Sequence, residues 1–298
     1  MTKKHYFFNG LVIESEIEFE DLTKSKNEAN TWLQYGEIPD QLENCIYKDE
    51  HQSLSETEYL LDIPDVGKYL VLDKKEIIVC KDPKALTSLF NIYLGSWIFP
   101  FILSQRSVFS LHACSFIIKD QAFLFSGASG VGKSTLTLNM NRKGHTGVND
   151  DLCAFHQNDK TFDLLVGPRS IKLLKTSIEL IGETSDDYQQ IREDLEKYKY
   201  PGSKVSSEST FPVKAFFAFN PNIKENACRK LSGFEAFKAI SSNVFRLDFV
   251  KMLGKMDEHF KDVSQFASKV TIFEISRSDK MSPEEFADFV EQSCLNLL

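Results

Sequence analysis

The sequence contains no Cys-x-x-Cys pair. Its six cysteines (Cys45, Cys80, Cys114, Cys153, Cys228 and Cys294) are scattered over 298 residues. That spacing offers neither a zinc site nor a disulfide framework, and it fits a reducing, cytoplasmic setting. The chain has no excess of positive charge: 35 Lys and Arg stand against 43 Asp and Glu, for a formal net charge of −8. A protein that grips the nucleic-acid backbone needs the opposite balance, so no nucleic-acid partner is expected. There are no repeats and no low-complexity tracts, and the apolar stretch after Lys3-Lys4-His5 is too short for a signal peptide. One uncharged, largely apolar run occurs, from Ala85 to Gln105, long enough to span a bilayer. Thr87, Ser88, Asn91, Gly95, Ser96 and Pro100 interrupt it, so a buried helix broken near Pro100 is the better reading and no membrane is expected.

What remains is an ordinary globular composition, 42% hydrophobic, in a chain long enough for one large or two smaller domains. The first hundred residues read mostly as strands. Tyr6-Phe7-Phe8 and Leu11-Val12-Ile13 flank Asn9-Gly10, a hairpin dipeptide. Tyr69 to Leu72 and Glu76 to Cys80 are two more strands, and the polar stretch Asn44 to Glu56 reads as a loop. A domain boundary falls near Gln105-Arg106, which gives a β-rich domain over 1–105 with one apolar helix and a second domain over 106–298.

The second domain opens with strands at Val108–Ile118 and Ala122–Phe125. Further strands are expected at Thr146–Val148, Phe162–Val166, Val213–Phe219 and Val270–Ile275. Glu183 to Lys199 carries helical spacing at Tyr188, Ile191 and Leu195, and Pro201 to Thr210 is polar enough to be a lid or an ordinary loop. Ser232-Gly233-Phe234-Glu235 and Ser282-Pro283-Glu284-Glu285 both read as capping boxes that open helices. Phe286, Phe289, Val290 and Leu297 mark the buried face of the last one.

The residues that point to chemistry begin at Ser126. From Gly127 through Ala128, Ser129, Gly130, Val131, Gly132 and Lys133 to Ser134, followed by Thr135, the chain fits G-x-x-x-x-G-K-[ST] between a buried strand and a helix. Glycines let the backbone bring several N–H groups close to a phosphate, and the helix N-terminus adds partial positive charge. Lys133 would reach the β- and γ-phosphates, and Ser134 would hold Mg²⁺. Seventeen residues after Lys133 stands Asp150-Asp151. Phosphoryl transfer needs a carboxylate at the metal, and a hydroxyl acceptor needs a second one to take its proton. Consecutive residues leaving a strand point opposite ways, so an adjacent pair can divide those roles. His112, on a strand beside the loop strand, is placed to face the γ-phosphate. His5, His51, His145, His156 and His259 show no metal-type spacing. Arg169, Lys172, Lys204 and Arg246 are candidate cations for phosphate or substrate.

Leu111-His112, the loop from Gly127 to Thr135, Arg142-Lys143-Gly144-His145 and Asp150-Asp151 together resemble the HPr serine kinase/phosphorylase family, over about His112 to Ile178. The resemblance implies a P-loop α/β domain of the kind shared with phosphoenolpyruvate carboxykinases, following the N-terminal β domain. It also implies transfer of the ATP γ-phosphate to a serine hydroxyl. In that frame Lys133 and the loop amides bind ATP, Ser134 and Asp151 bind Mg²⁺, Asp150 is the base, and His112 lies near the transferred phosphate. The family forms oligomers.

The family's glycine-rich signature after the acidic pair is replaced here by Val166-Gly167-Pro168-Arg169-Ser170-Ile171-Lys172-Leu173. Only Arg169 keeps its arginine, which draws the acceptor away from HPr. Phe8-Asn9-Gly10-Leu11-Val12, Leu103-Ser104-Gln105-Arg106, Leu111-His112-Ala113, Gly167-Pro168-Arg169, Phe234 to Phe237 and Asn243-Val244-Phe245-Arg246 are similar to the branch that includes lasso peptide kinases. That branch implies a serine in a precursor peptide or small protein as acceptor. A nucleotide-binding regulatory module without transfer activity and a small-molecule or carboxykinase-like kinase are the other readings of the same motifs.

Overall fold

The computed structural model describes residues 3–168, 170–192, 195–202 and 210–298. The chain divides into two compact units, Met1–Val108 with Asp248–Gly254, and Phe109–Leu247 with Lys255–Leu298.

The first unit is built on a nine-stranded sheet. Strands β1 (Lys4–Phe8) and β2 (Leu11–Ser15) form the hairpin that Asn9-Gly10 forecast. Both turn residues have positive φ, 46° and 89°, the twist a two-residue hairpin demands. β3 (Thr23–Lys24), β4 (Thr31–Tyr35), β5 (Tyr47–Lys48), β6 (Gln52–Leu54), β7 (Glu58–Ile63), β8 (Gly67–Leu72) and β9 (Glu76–Lys81) complete it in the order β3-β1-β2-β4-β9-β8-β7-β6-β5. The polar stretch 44–56 therefore carries two strands rather than a loop. They add to the end of the sheet, β6 by backbone pairing with β7 and β5 by pairing with β6, and short edge strands need little apolar content.

The apolar run forms α1 (Thr87–Tyr93), a π-turn (Leu94–Ile98) and α2 (Phe99–Gln105). By length and composition alone Thr87–Gln105 could cross a membrane. In the fold Phe90, Leu94, Ile98, Phe99, Phe101, Ile102 and Leu103 are buried. The irregularity lies just before Pro100 rather than at it. A proline there has no N–H for the Ser96 carbonyl and its ring crowds that carbonyl, so the backbone widens one turn earlier. The Asp248–Gly254 segment supplies Phe249, whose ring meets Phe101 at 5.2 Å and Trp97 at 5.8 Å between centroids.

The second unit carries the site. β10 (Ser110–Ile118) and β11 (Gln121–Ser126) are an antiparallel pair joined through Lys119 and Asp120, both at positive φ. The phosphate loop follows, then α3 (Lys133–Arg142), β12 (Thr146–Asn149), β13 (Leu152–Gln157) and β14 (Phe162–Leu165). Beyond these come β15 (Ser170–Leu174), α4 (Lys175–Leu180), β16 (Gln189–Arg192), β17 (Leu195–Pro201) and β18 (Thr210–Phe219). β19 (Ala227–Leu231), α5 (Gly233–Ser241), α7 (Met256–Lys269), β20 (Thr271–Ser276) and α8 (Pro283–Leu295) close the unit, while α6 (Leu247–Met252), between α5 and α7 in the chain, belongs almost wholly to the first unit.

β11 lies between antiparallel β10 and parallel β18, and β18 runs parallel to β20. β13 and β14 bridge β10 back to the start of β18, which closes a ring of strands around a buried centre. Alternation along the strands sorts their side chains into two cores. Leu124 and Phe216 join Ile240, Val263 and Phe266 of α5 and α7. Phe123, Phe125 and Phe217 join Leu136, Met140, Phe286 and Val290 of α3 and α8.

Two local expectations fail. Gln189–Arg192 and Leu195–Pro201 form β16 and β17 in a three-stranded sheet with β15, not a helix. The alternation Lys197-Tyr198-Lys199-Tyr200 is the signal that wins: Tyr198 and Tyr200 pack with Tyr188 against Ile171, Leu173 and Ile178. At α5 the box does not form: Ser232 makes no side-chain cap, and Glu235 turns its carboxylate to Arg229 in a bidentate pair, at 2.9 Å for the shorter bond, instead of back to Ser232. The Ser282–Glu285 box forms as read, with reciprocal bonds of 2.8 and 3.1 Å.

Candidate active site

The loop between β11 and α3 needs its glycines for conformation. Gly130 and Gly132 have φ of 86° and 100°, the left-handed region that side chains resist. A Cβ on Gly127 would sit 3.0 Å from Val131 and 3.1 Å from Phe219, so the chain is pressed close there. α3 then starts without a side-chain cap and without an acidic residue in its first turn. Its first residue is Lys133, only 7% exposed. A buried cation at the positive end of a helix opposes the macrodipole; such a broken local rule marks a place built for an anion. The Lys133 ammonium donates to the carbonyls of Gly127 (2.9 Å) and Ala128 (3.4 Å). Thr135, the last residue of the motif, has its hydroxyl 2.9 Å from that of Ser177 on α4 and so ties α3 to α4.

The acidic pair is placed by its predecessor. Asn149 is buried and uses its whole side chain. It donates to the carbonyls of Leu152 (2.8 Å) and Leu165 (3.0 Å) and accepts from the Gly167 N–H (3.0 Å). Its backbone N–H donates to Ser115 at 3.1 Å. On the same strand, Gly147 passes so near α3 that a Cβ would fall 2.4 Å from the Thr137 methyl. Overpacking of that kind costs about 1–3 kcal/mol. Gly147→Ala is therefore expected to lower the urea-unfolding free energy by that amount and to displace the aspartates that follow.

Asp150 is 9% exposed. Its Oδ2 accepts the Lys172 backbone N–H at 2.8 Å, while Oδ1 is buried with no hydrogen-bond partner among the described residues. Burial first, then the charge of Asp151, raises its pKa to about 6, against the lowering effect of the Lys172 N–H and the Ser134 hydroxyl. Asp151 is more open, with its side chain 31% exposed and its Oδ2 3.3 Å from the Lys172 ammonium. Burial pushes its pKa up, but Lys172, Lys197 and His112 outweigh that and hold it below the ordinary carboxylate range.

His112 lies on β10 opposite Leu152. Burial, then the charge of Lys133, lowers its pKa, with Asp151 pulling the other way. Its ring stacks on Phe245 at 6.0 Å. The segment that carries Phe245 is clamped to β10: the Asn243 carbonyl accepts from the His112 N–H at 2.7 Å, and the Phe245 N–H donates to Ser110 at 3.0 Å. This gives the Asn243-Val244-Phe245 motif a physical role that sequence reasoning left open. Phe245→Ala is expected to raise the His112 pKa towards its ordinary value by opening the ring to water, as read by NMR titration.

The fold thus brings Lys133, Ser134, Asp150, Asp151, His112 and Lys172 into one electrostatic neighbourhood. Arg246 is half-buried just beyond Phe245 at a φ of 52°. Arg169 and Lys204 lie outside the described residues, as does most of the Pro201–Thr210 stretch. Lys197 and Asn149 were given no role from sequence. The Lys-Tyr alternation could have flagged the first; the second had no signal beyond its place before Asp150. Among the described residues no group of three or more His, Cys, Asp or Glu is arranged to hold a metal. A metal here would take Ser134 and a carboxylate, with the phosphates of a nucleotide completing its shell. The unpartnered, buried Oδ1 of Asp150 beside the Ser134 hydroxyl fits that demand.

No known family's sequence profile matches the chain, and no curated protein does. Among solved structures the chain is similar to the Hpr(Ser) kinase/phosphatase from Coxiella burnetii, at 14% identity and a TM-score of 0.35, over 63% of this chain and 92% of that one. Nothing in the comparisons singles out the lasso peptide kinase branch. So low a TM-score leaves function to be argued from the site.

Proposed function

We propose that the chain is an ATP- and Mg²⁺-dependent kinase that phosphorylates a serine hydroxyl on a peptide or small protein. The supporting observation is the pairing of a buried N-terminal lysine in a glycine loop with an acidic pair whose inner member lies beside Ser134. Loop N–H groups and Lys133 would hold the β- and γ-phosphates. Ser134 and one member of the acidic pair would hold Mg²⁺, which when bound neutralises charge on the phosphates. One carboxylate is then left to take the proton of the acceptor. His112, kept neutral by its burial, can donate a hydrogen bond towards the transferred group without adding a charge. Lys172 supplies the cation that Arg169 was expected to give.

The test is incubation with ATP, MgCl₂ and a panel of serine-containing peptides, read by mass spectrometry. A gain of one phosphoryl mass on serine, lost in Lys133→Ala, is the expected result. Tight ATP binding with no transfer across the panel would leave the regulatory-module reading in its place.

A further inference from the structure

Resting on that kinase reading, we infer that the two carboxylates divide the work in the order opposite to the one the family resemblance implies. Asp150 with Ser134 holds the metal; Asp151, paired with Lys172, takes the proton of the acceptor hydroxyl.

The geometry of the two side chains carries this. Asp150 is 9% exposed, too enclosed to receive a serine from solution. One of its oxygens is fixed by the Lys172 N–H at 2.8 Å. The other is buried and makes no hydrogen bond of ordinary geometry among the described residues, and the Ser134 hydroxyl lies near the carboxylate. An anionic oxygen without a donor in such a place is costly unless a cation meets it, and Ser134 is the residue the loop motif assigns to the metal. Asp151 follows immediately and so leaves the strand the other way. Its side chain is 31% exposed and pairs with the Lys172 ammonium at 3.3 Å, with Lys197 a second cation nearby and His112 on the same side. The two ammonium groups repel a divalent ion, whereas an incoming hydroxyl meets an open carboxylate.

Lys172 joins the two roles, since its N–H holds Asp150 and its ammonium holds Asp151. In the transfer step the serine O–H proton moves to an Asp151 oxygen and the serine oxygen bonds to the γ-phosphorus. The bond from that phosphorus to the β-bridging oxygen breaks, and its electron pair leaves on ADP. Protonation cancels the charge of Asp151, so the Lys172 ammonium loses its partner as a phosphoserine dianion forms beside it.

The experiment is Mn²⁺ binding followed by electron paramagnetic resonance in the presence of a non-hydrolysable ATP analogue, with single-turnover kinetics on the same variants. Asp150→Asn is expected to weaken Mn²⁺ binding by about tenfold or more, with Asp151→Asn and Lys172→Met within about twofold of wild type. Asp151→Asn is expected to slow transfer, or hydrolysis where water is the acceptor, by roughly 10²–10⁴-fold at unchanged nucleotide affinity. Lys172→Arg should recover part of the rate lost in Lys172→Met. Loss of Mn²⁺ in Asp151→Asn with retention in Asp150→Asn overturns the division and restores the order the resemblance implies. Equal loss in both overturns it as well. A wild-type protein that binds no nucleotide overturns the kinase reading and the division together.

Discussion

Lys133→Ala is expected to weaken ATP binding by roughly a hundredfold, about 3 kcal/mol, while leaving the stability of the free protein close to unchanged. The two halves of that statement have separate causes. The ammonium is 7% exposed, so its interaction with a phosphate is little screened by water. Hydrogen bonds to charged groups are among the strongest a side chain makes. In the free protein the same ammonium satisfies two loop carbonyls, at 2.9 and 3.4 Å, and removing it gives those bonds up. Its loss also removes a positive charge from the N-terminal end of α3, where the helix dipole disfavours one by about 0.3–1 kcal/mol. The two effects on folding oppose each other, so a drop in nucleotide affinity would not be a folding defect in disguise. Isothermal titration with ATP and Mg²⁺, beside thermal unfolding of the same samples, measures both. Affinity within about threefold of wild type would mean that Lys133 is a loop-closing residue and not a phosphate ligand.

What could be read in the sequence was whatever is local. Asn9-Gly10 dictates its hairpin because both residues tolerate positive φ, and Ser282-Pro283-Glu284-Glu285 dictates its cap because the partners are three residues apart. The phosphate loop belongs to the same class: glycines, lysine and hydroxyl act within one turn of each other. The polar residues 47–54 lack the apolar alternation of a strand, and backbone pairing along β5, β6 and β7 makes them strands; the Lys-Tyr strand at 195–201 was misread because its partner β15 lies further back in the chain. Helical spacing at Tyr188, Ile191 and Leu195 was real in the sequence, but pairing with β15 outweighed it.

The candidate site divides in the same way. Asp150-Asp151 stood out as a pair, yet nothing in two identical adjacent residues says which is enclosed and which is open. That difference comes from Asn149, which holds three backbone groups with its side chain, and from Lys172, which meets one aspartate with its backbone and the other with its ammonium. A backbone N–H is carried by nearly every residue type, so no motif could have announced the first of those contacts. The segment Asn243–Phe245 is a similar case. Its hold on His112 is a matter of main-chain bonds and one ring stacked at 6.0 Å.

The enclosure of Asp150 has a consequence for stability, and Asp150→Asn is expected to make the metal-free protein more stable at pH 8. The carboxyl titrates near 3.8 when unperturbed and at about 6 in the fold. A folded-state pKa raised in this way means that folding favours the protonated acid. The stability this gives is fully present below pH 3.8 and is lost as the pH rises through about 6. At about 1.4 kcal/mol per pH unit, ionised Asp150 costs the folded protein on the order of 3 kcal/mol above that range. Asparagine can still accept the Lys172 N–H and carries no charge to bury, so it escapes that cost. For a unit of this size the gain corresponds to a rise in Tm of roughly 5–10 °C at pH 8, shrinking towards zero as the pH falls to 4. Thermal unfolding in EDTA at both pH values measures it, and a Tm that is unchanged or lower at pH 8 would show that Asp150 is not strained in the metal-free fold. The same substitution should reduce the gain that wild type shows when Mg²⁺ and nucleotide are added, because a ligand that binds only the folded state stabilises it by an amount that grows with the logarithm of its affinity. A residue that weakens its own fold until a cation arrives, and whose replacement strengthens the fold while removing the cation's grip, is held in place by function rather than by folding.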